Sequence, residues 1–196
     1  YGGGIMVGYH SAVIRNCLIR NNSLPDGSYY GGGLAINSAT NVLVANCTIV
    51  SNYASANGGG LFFSNFSEDD PTNRVVNCLI VSNKCASSAY DNIFDFSTWG
   101  PPLKHPYAVG YSCSTSNNAF ILDERGNTTN APGFIDFEGG NYRVDAGSPC
   151  YNAGTNQAWM AGATDLDGRP RQDRFSRQVD MGAYEFSLGG ALFFLK

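Results

Sequence analysis

Short apolar runs recur along the first part of the chain, and glycines or asparagines bound each run. Glycine triplets precede three of these runs at spacings of 29 and 27 residues, and a second string, Asn-Cys-x-Ile, recurs at spacings of 30 and 31 residues. Two strings that recur in phase three times indicate a solenoid in which each repeat forms one coil. The triplets lie at 2–4, 31–33 and 58–60, and the second string begins at Asn16, Asn46 and Asn77.

Each repeat predicts two or three short strands joined by tight turns. A single coil cannot bury its apolar side, so the coils must stack, with parallel strands of neighbouring coils about 4.8 Å apart. Residues at equal repeat positions then form inward columns. The predicted columns are Ile5, Leu34 and Leu61; Val7, Ile36 and Phe63; Ile14, Val44 and Val75; Cys17, Cys47 and Cys78; and Ile19, Ile49 and Ile80.

The apolar alternation shifts by one residue at Asn16, Asn46 and Asn77, which predicts a bend at each of them. Asparagine tolerates the left-handed backbone region, and its side-chain amide can bond to the same amide one coil away. We therefore predict an asparagine ladder at a turn. The alternative is that these asparagines bind a ligand.

The pattern changes after the third repeat, so we divide the chain into four parts. Residues 1–96 are predicted coils, 97–132 loop-rich partial coils, 133–186 a capping segment and 187–196 an apolar tail. An open solenoid end exposes a sheet edge that must be covered, and we expect residues 133–186 to cover it.

The apolar tail is too short to span a bilayer as a helix. Three explanations remain open: it packs on the capping segment, it is the remnant of a sorting signal, or it adds a strand to a neighbouring subunit. The candidate subunit contacts are Leu192, Phe193, Phe194 and Leu195.

Charge and composition exclude several classes of function. Charged residues make up 14% of the chain, the net charge is −4, and lysines and arginines do not cluster. Nucleic-acid binding needs a basic surface, so we exclude it. The sequence holds no apolar run long enough for a transmembrane helix.

The six cysteines are even in number, which favours an oxidising compartment, although stacked core thiols at one repeat position would stay reduced. Cys113 and Cys150, outside the repeat, are a candidate disulfide. Asn-x-Ser/Thr sequences make four asparagines candidate glycosylation sites. They are Asn21, Asn46, Asn65 and Asn127.

Candidate catalytic chemistry is sparse. The repeats are poor in the carboxylates and basic residues that polysaccharide cleavage requires. Glu68, Asp69 and Asp70 lie together in one loop, which we interpret as a solvated loop and not a site. We therefore assign no catalytic residue, no cofactor and no metal. Asp165 and Asp167 resemble the start of a calcium loop, but Arg169 and Arg171 follow at once and would repel a cation. A salt bridge from one of these arginines to Asp180 or Glu185 is the better prediction.

Three C-terminal strings carry a family resemblance. They read Gly-Ser-Pro-Cys-Tyr-Asn-Ala-Gly at 147–154, Asp-Leu-Asp-Gly-Arg-Pro-Arg at 165–171 and Val-Asp-Met-Gly-Ala-Tyr-Glu at 179–185. With the glycine and Asn-Cys repeats, they resemble bacterial secreted β-helix proteins that end in a choice-of-anchor segment. The resemblance extends to about Phe186, and the tail departs from it. It implies an all-β, right-handed parallel β-helix with an irregular C-terminal cap, exported to the cell surface.

The resemblance implies no activity. We expect a non-catalytic extracellular structural or adhesive surface protein that self-assembles into fibres by coil stacking or strand exchange. Its expected partners are other copies of itself and extracellular glycans. The alternative is a carbohydrate-active β-helix enzyme, a polysaccharide lyase or glycosidase, or its glycan-binding module. An ice-binding surface would need regular threonine columns, and the repeats do not contain them.

Overall fold

The computed structural model describes residues 1–64, 73–95, 107–115 and 126–186. These residues form short strands with tight turns between them, together with 3-10 turns at Ser88–Tyr90 and Ala158–Met160. The strands are short because glycine or asparagine interrupts each apolar run. Their bounds are β1 Ile5–Gly8, β2 Ala12–Arg15, β3 Leu18–Arg20, β4 Ser23–Leu24, β5 Leu34–Asn37, β6 Val42–Ala45, β7 Thr48–Val50, β8 Tyr53–Ala54, β9 Leu61–Ser64, β10 Asn73–Val76, β11 Leu79–Val81, β12 Lys84–Cys85, β13 Ile93–Asp95, β14 Tyr107–Gly110, β15 Phe134–Asp136 and β16 Asn141–Val144.

Equivalent strands of successive coils pair in parallel and form the walls of the solenoid. Coil one comprises β1–β4, coil two β5–β8, coil three β9–β12, and coil four contains β13 and β14. Sheet A has the order β1-β5-β9-β13, sheet B β2-β6-β10-β14, sheet C β3-β7-β11 and sheet D β4-β8-β12. The predicted right-handed parallel β-helix is confirmed.

The predicted inward columns are also confirmed by the strand registers. Their side chains form one buried cluster along the axis of the solenoid. Full burial of an isoleucine or leucine contributes about 1.5–3 kcal/mol, so the stacked columns are a main source of stability. The paired positions include Ile5, Leu34 and Leu61 in sheet A, Ile14, Val44 and Val75 in sheet B, and Ile19, Ile49 and Ile80 in sheet C.

Three asparagines make the bend between sheets B and C. Asn16, Asn46 and Asn77, here called the turn asparagines, have φ values of 54°, 48° and 54°. Few residue types other than glycine and asparagine adopt this left-handed conformation readily. The one-residue shift in the apolar alternation therefore has a backbone cause, because a left-handed residue redirects the chain between two walls.

A second asparagine ladder lies inside the solenoid, and the sequence analysis missed it. The Oδ1 atom of Asn52 accepts hydrogen bonds from the backbone N and Nδ2 of Asn22, at 3.0 and 2.9 Å. Asn83 accepts from Asn52 in the same way, and Asn92 accepts from Asn83. Buried amides that bond in such a chain leave few polar groups unsatisfied. We call these four residues the inner ladder.

The glycine triplets let neighbouring parts of the coils approach closely. A Cβ atom on Gly33 would lie 2.7 Å from the carbonyl oxygen of Gly60 and 2.8 Å from a methyl group of Ile49. Any larger residue would force the coils apart at this point. The triplets of coils two and three are buried, so they form no open strip on the surface.

Coil four includes strand β14 within the region that the sequence predicted as loop-rich partial coils. Strand β14 pairs with β10 in parallel, and Cys113 forms isolated parallel bridges with Leu79 above it and Thr128 below it. The repeat is harder to see here because the Gly-Gly-Gly and Asn-Cys strings are absent. The stacking nevertheless continues.

The C-terminal segment, residues 133–186, begins with the antiparallel hairpin β15–β16 and continues mostly as turns. It packs along the side of the coils, where the sequence predicted a cover over an open end. Its apolar side chains cover the outward face of sheet C, including Val50, Leu79 and Val81. The strand Leu79–Val81 of sheet C is apolar at all three positions and therefore needs a second layer on its outward face. None of the described residues forms a helix that is long and apolar enough to cross a membrane.

Candidate functional site

Several hydrogen bonds join the turn asparagines to the C-terminal segment. Asn77 holds Thr155 at both ends of its amide: Oδ1 accepts from the backbone N of Thr155 at 2.8 Å, and Nδ2 donates to its carbonyl oxygen at 2.9 Å. The carbonyl oxygen of Asn77 also accepts from the backbone N of Gly182 at 2.8 Å. Asn77 thus binds two separate parts of the segment.

The other two turn asparagines bind the same segment. Asn46 Nδ2 donates to the carbonyl oxygen of Asp180 at 3.2 Å, and Asn16 Nδ2 donates to that of Thr164 at 2.9 Å. Asn77 Nδ2 also donates to Asn46 Oδ1 at 3.2 Å, which is the predicted bond between stacked amides. The turn asparagines therefore act as a row of backbone-binding groups, and the ligand they bind is the protein's own C-terminal segment.

A buried arginine lies at the centre of this contact. Arg171 is 0% exposed, and its Nε donates to Asn16 Oδ1 at 2.8 Å. Its Nη1 donates to Glu185 Oε1 at 2.6 Å and to the carbonyl oxygen of Gly182 at 3.1 Å. The predicted salt bridge between an arginine of this string and Glu185 is confirmed. The guanidinium ties coil one to the last turn of the segment.

Two further carboxylates surround the pair, and backbone N–H groups hold both. Asp180 accepts from Asn152 at 2.6 Å and from Phe186 at 2.5 Å, while its own N donates to Glu185 Oε2 at 3.0 Å. Asp165 Oδ2 accepts from the backbone N of Glu185 at 2.7 Å. The buried acids thus fold the segment onto itself.

Burial raises the pKa of Glu185 to about 8, and the nearby Asp180 carboxylate adds to this shift, while Arg171 opposes it. Burial also raises the pKa of Asp180 to about 6, against the opposing effect of its two backbone donors. Desolvation disfavours the charged form of a carboxylic acid, so both shifts have the same physical origin. The contact is therefore sensitive to pH in the neutral range.

The calcium candidates Asp165 and Asp167 are committed to other partners. Asp165 Oδ1 accepts from the backbone N of Asp167 and of Arg169, both at 2.8 Å. Asp167 pairs with Arg143, whose Nε donates to its Oδ2 at 2.6 Å. Donors and positive charge around both carboxylates do not suit a cation. Within the described ranges, no three His, Cys, Asp or Glu side chains are grouped to hold a metal ion.

All six cysteines are thiols in the structure. Cys17, Cys47 and Cys78 lie one above another. The backbone N of Thr48 donates to the carbonyl oxygen of Cys17, and that of Leu79 donates to the carbonyl oxygen of Cys47. Burial raises the pKa of Cys47 well above its usual value. Cys113 of coil four and Cys150 of the C-terminal segment belong to the same buried cluster between them, and their pairing stays a prediction.

The candidate glycosylation sites differ in accessibility. Asn21 is exposed. Asn46 is fully buried and its side-chain amide donates a hydrogen bond, so a glycan cannot be attached to Asn46 in the folded protein. Asn127 binds the backbone of Ser112 and Val109 through its amide. Asn65 and the tail residues lie outside the described residues. The latter are Leu192, Phe193, Phe194 and Leu195.

Comparison with known proteins adds a family to this geometry. A family model described as a right handed beta helix region matches residues 1–124, which is more than half of the 196-residue chain. No curated protein and no solved structure matches the chain. The matched region contains the stacked sheets, the turn asparagines and the inner ladder. The chain therefore belongs to the right-handed β-helix family.

Proposed function

We propose that the chain is a non-catalytic extracellular scaffold or adhesive protein. One observation carries this proposal: the polar groups along the bend of coils one to three bind the C-terminal segment of the same chain. Asn16, Asn46 and Asn77 each donate to a backbone carbonyl of that segment. A surface whose recognition groups are already occupied builds a rigid body and does not bind a substrate there.

The arrangement of the buried acids supports the same proposal. Asp165, Asp180 and Glu185 are buried, and each accepts hydrogen bonds from backbone N–H groups or from Arg171. Glycoside cleavage needs two carboxyl groups that face a sugar in an open cleft. These three carboxyl groups face the interior and stabilise a turn-rich segment. The resemblance of this segment to cell-surface anchor segments supports an extracellular location.

Self-association is the form that we propose for this scaffold, and coil one is where a further coil would stack. Strands β1, β2, β3 and β4 each lie at the end of their sheet, so their outer edges are unpaired among the described strands. Its inward residues Ile5 and Val7 are only partly buried. These edges would accept another coil, whether from the same chain or from a second copy.

The enzyme alternative is tested by turnover. The purified chain is incubated with a panel of neutral and acidic polysaccharides, and reducing ends and unsaturated products are measured. The proposal predicts binding or no interaction, without products. Product formation that is lost on heat denaturation and is proportional to enzyme concentration would reverse the assignment to a polysaccharide lyase or glycosidase.

Self-association is tested with a matched pair of variants. Val7→Asp places a carboxylate on the open apolar side of coil one, whereas Val13→Asp places it on the same coil at an outward position that is 63% exposed. Light scattering after gel filtration, with electron microscopy, should show concentration-dependent assemblies of the wild type and of Val13→Asp. Assemblies of Val7→Asp should be absent. A monomer of 21.0 kDa at all concentrations of wild type would contradict assembly through this coil.

A further inference from the structure

Cys113 occupies a different side of the coil from the three repeat cysteines. In coil four the position level with Cys78 is taken by Ser112, whose Oγ accepts from the backbone N of Cys78 at 3.0 Å. Cys113 is one residue later and lies level with Leu79. Because side chains alternate along a strand, this shift turns the Cys113 thiol from the core to the outer face.

The outer face at this point is covered by Cys150. Both cysteines belong to the cluster between sheet C and the C-terminal segment, and both are 0% exposed. The two thiols are close enough for each to shift the pKa of the other, and the Cys113 thiol donates to the carbonyl oxygen of Asn130 at 3.1 Å. Each backbone is held in place: Cys113 N donates to Cys78 O at 2.8 Å, and Cys150 O accepts from Met181 N at 3.0 Å. Two fixed thiols in contact are the starting geometry for a disulfide.

We propose that Cys113 and Cys150 are a redox-active pair that forms a disulfide between coil four and the C-terminal segment. In a thiol–disulfide buffer, the thiolate of one cysteine attacks one sulfur of oxidised glutathione and releases one glutathione thiolate. The thiolate of the other cysteine then attacks the protein sulfur of the mixed disulfide and releases the second. The protein loses two protons and two electrons, and one oxidised glutathione becomes two reduced ones.

Hydrogen bonds around the two cysteines hold them in place. Besides the bond from the Cys113 thiol to Asn130, the backbone N of Cys150 donates to Ser148 Oγ at 3.0 Å. The thiolate is the attacking species, and the contact with Cys150 together with burial raises the pKa of Cys113, so this thiol is unreactive while the segment covers it. Because both side chains are buried, reaction requires that the segment opens, or that the bond forms before the segment docks.

The stacked repeat cysteines are poorer candidates for oxidation. The Cys47 sulfur lies 3.3 Å from the carbonyl oxygen of Ala45, and the Cys78 sulfur lies 3.2 Å from that of Val76. Their side chains point the same way from parallel strands inside a packed core. A disulfide needs the two sulfurs about 2.05 Å apart with a dihedral angle near 90°, so both would have to leave their carbonyls and disturb the core.

The experiment refolds the chain in buffers of graded reduced-to-oxidised glutathione ratio, alkylates the free thiols and maps the tryptic peptides. We expect a single link between the peptides 105–125 and 144–171, with four cysteines alkylated. The oxidised wild type should melt roughly 10 °C above the reduced wild type, because the link closes a loop of 37 residues.

The variants separate this link from other effects. Cys113→Ser and Cys150→Ser should each remove the link and the difference in melting temperature between oxidised and reduced protein, whereas Cys17→Ser, at the half-buried end of the repeat column, should keep both. The wild-type comparison needs no variant to fold. Alkylation of both Cys113 and Cys150 under oxidising conditions, or a link between repeat cysteines, would overturn the proposal. Its outcome is independent of the proposed scaffold function.

Discussion

Asn77→Gly isolates the contribution of the turn asparagines to docking of the C-terminal segment. The native φ of Asn77 is 54°, which glycine adopts without strain, so the substitution removes the side chain and keeps the backbone. Asn21→Gly is a matched control. Asn21 has a φ of 55° and an exposed side chain. The greater freedom of glycine in the unfolded chain is common to both variants and cancels in their difference.

The magnitude follows from the bonds that Asn77 makes. Its side chain makes hydrogen bonds of 2.8 and 2.9 Å to Thr155 and one of 3.2 Å to Asn46. Removing a hydrogen bond so that its buried partner stays unsatisfied lowers the free energy of unfolding by about 1–3 kcal/mol. The lower value applies where water can reach the partner. Thr155 is partly exposed and Asn46 is fully buried. We expect Asn77→Gly to lower the free energy of unfolding by about 3 kcal/mol more than Asn21→Gly.

Trp159 provides a local probe for this measurement. It lies in the C-terminal segment, and the guanidinium carbon of Arg15 in coil one lies 4.8 Å from its ring centroid. The chain has two tryptophans, so a Trp99→Phe background leaves Trp159 as the only indole. Urea unfolding is then followed by Trp159 fluorescence for docking and by far-ultraviolet circular dichroism for the coils.

In Asn77→Gly, the fluorescence transition should move to lower urea concentration and precede the dichroism transition. In Asn21→Gly the two transitions should stay close to those of the background protein. A difference between the two variants below about 1 kcal/mol would refute the reasoning, because one buried and two part-buried bonds cannot be lost at so small a cost.

Two further predictions concern pH and the inner ladder. The pKa of Glu185 is raised from 4.5 to about 8. The folded state therefore binds more protons than the unfolded state between these pH values, and stability should fall as pH rises through this range. Glu185→Gln should flatten this part of a plot of urea midpoint against pH, and an unchanged slope would contradict the role of Glu185. Asn52→Ala removes an amide bonded both above and below, and should cost about 3 kcal/mol more than Asn22→Ala at the half-buried end of the ladder. Equal losses in chemical denaturation would contradict a ladder whose inner members matter most.

The repeat made the coils predictable from the sequence. Once residues about thirty apart are taken as vertical neighbours, apolar columns such as Ile19, Ile49 and Ile80 follow, because a coil can bury its apolar side only against the next coil. The bend at the turn asparagines followed from the shift in alternation. Coil four was harder to predict because its strand at Tyr107–Gly110 follows no glycine triplet.

The inner ladder was missed because Asn21 and Asn52 both follow closely after the repeated Asn-Cys-x-Ile string and therefore look equivalent. The strand register places Arg20 beside Val50, so the residue level with Asn52 is Asn22. A shift of one residue is invisible to a search for similar letters, but it moves a side chain from the interior to the surface. The second asparagine of the Asn21-Asn22 pair was the available signal.

The side-on position of the C-terminal segment also had a signal in the sequence. The strand Leu79–Val81 of sheet C is apolar at three consecutive positions, and a strand that is apolar on both faces requires a covering layer on each. The partner of Arg171 on coil one had no such signal. Its bond to Asn16 joins residues 155 apart, and only the folded path of the segment brings them together.

Amide hydrogen exchange measures directly whether the C-terminal segment docks along the side of the coils. The backbone N–H groups of Thr155, Gly182 and Ala183 donate to Asn77 Oδ1, Asn77 O and Thr48 Oγ1 across the contact. We expect these three amides to exchange as slowly as the coil amide of Leu79, which donates to Cys47 O. If they exchange as fast as the amide of the exposed Phe175 while Leu79 stays protected, the segment does not dock along the coils.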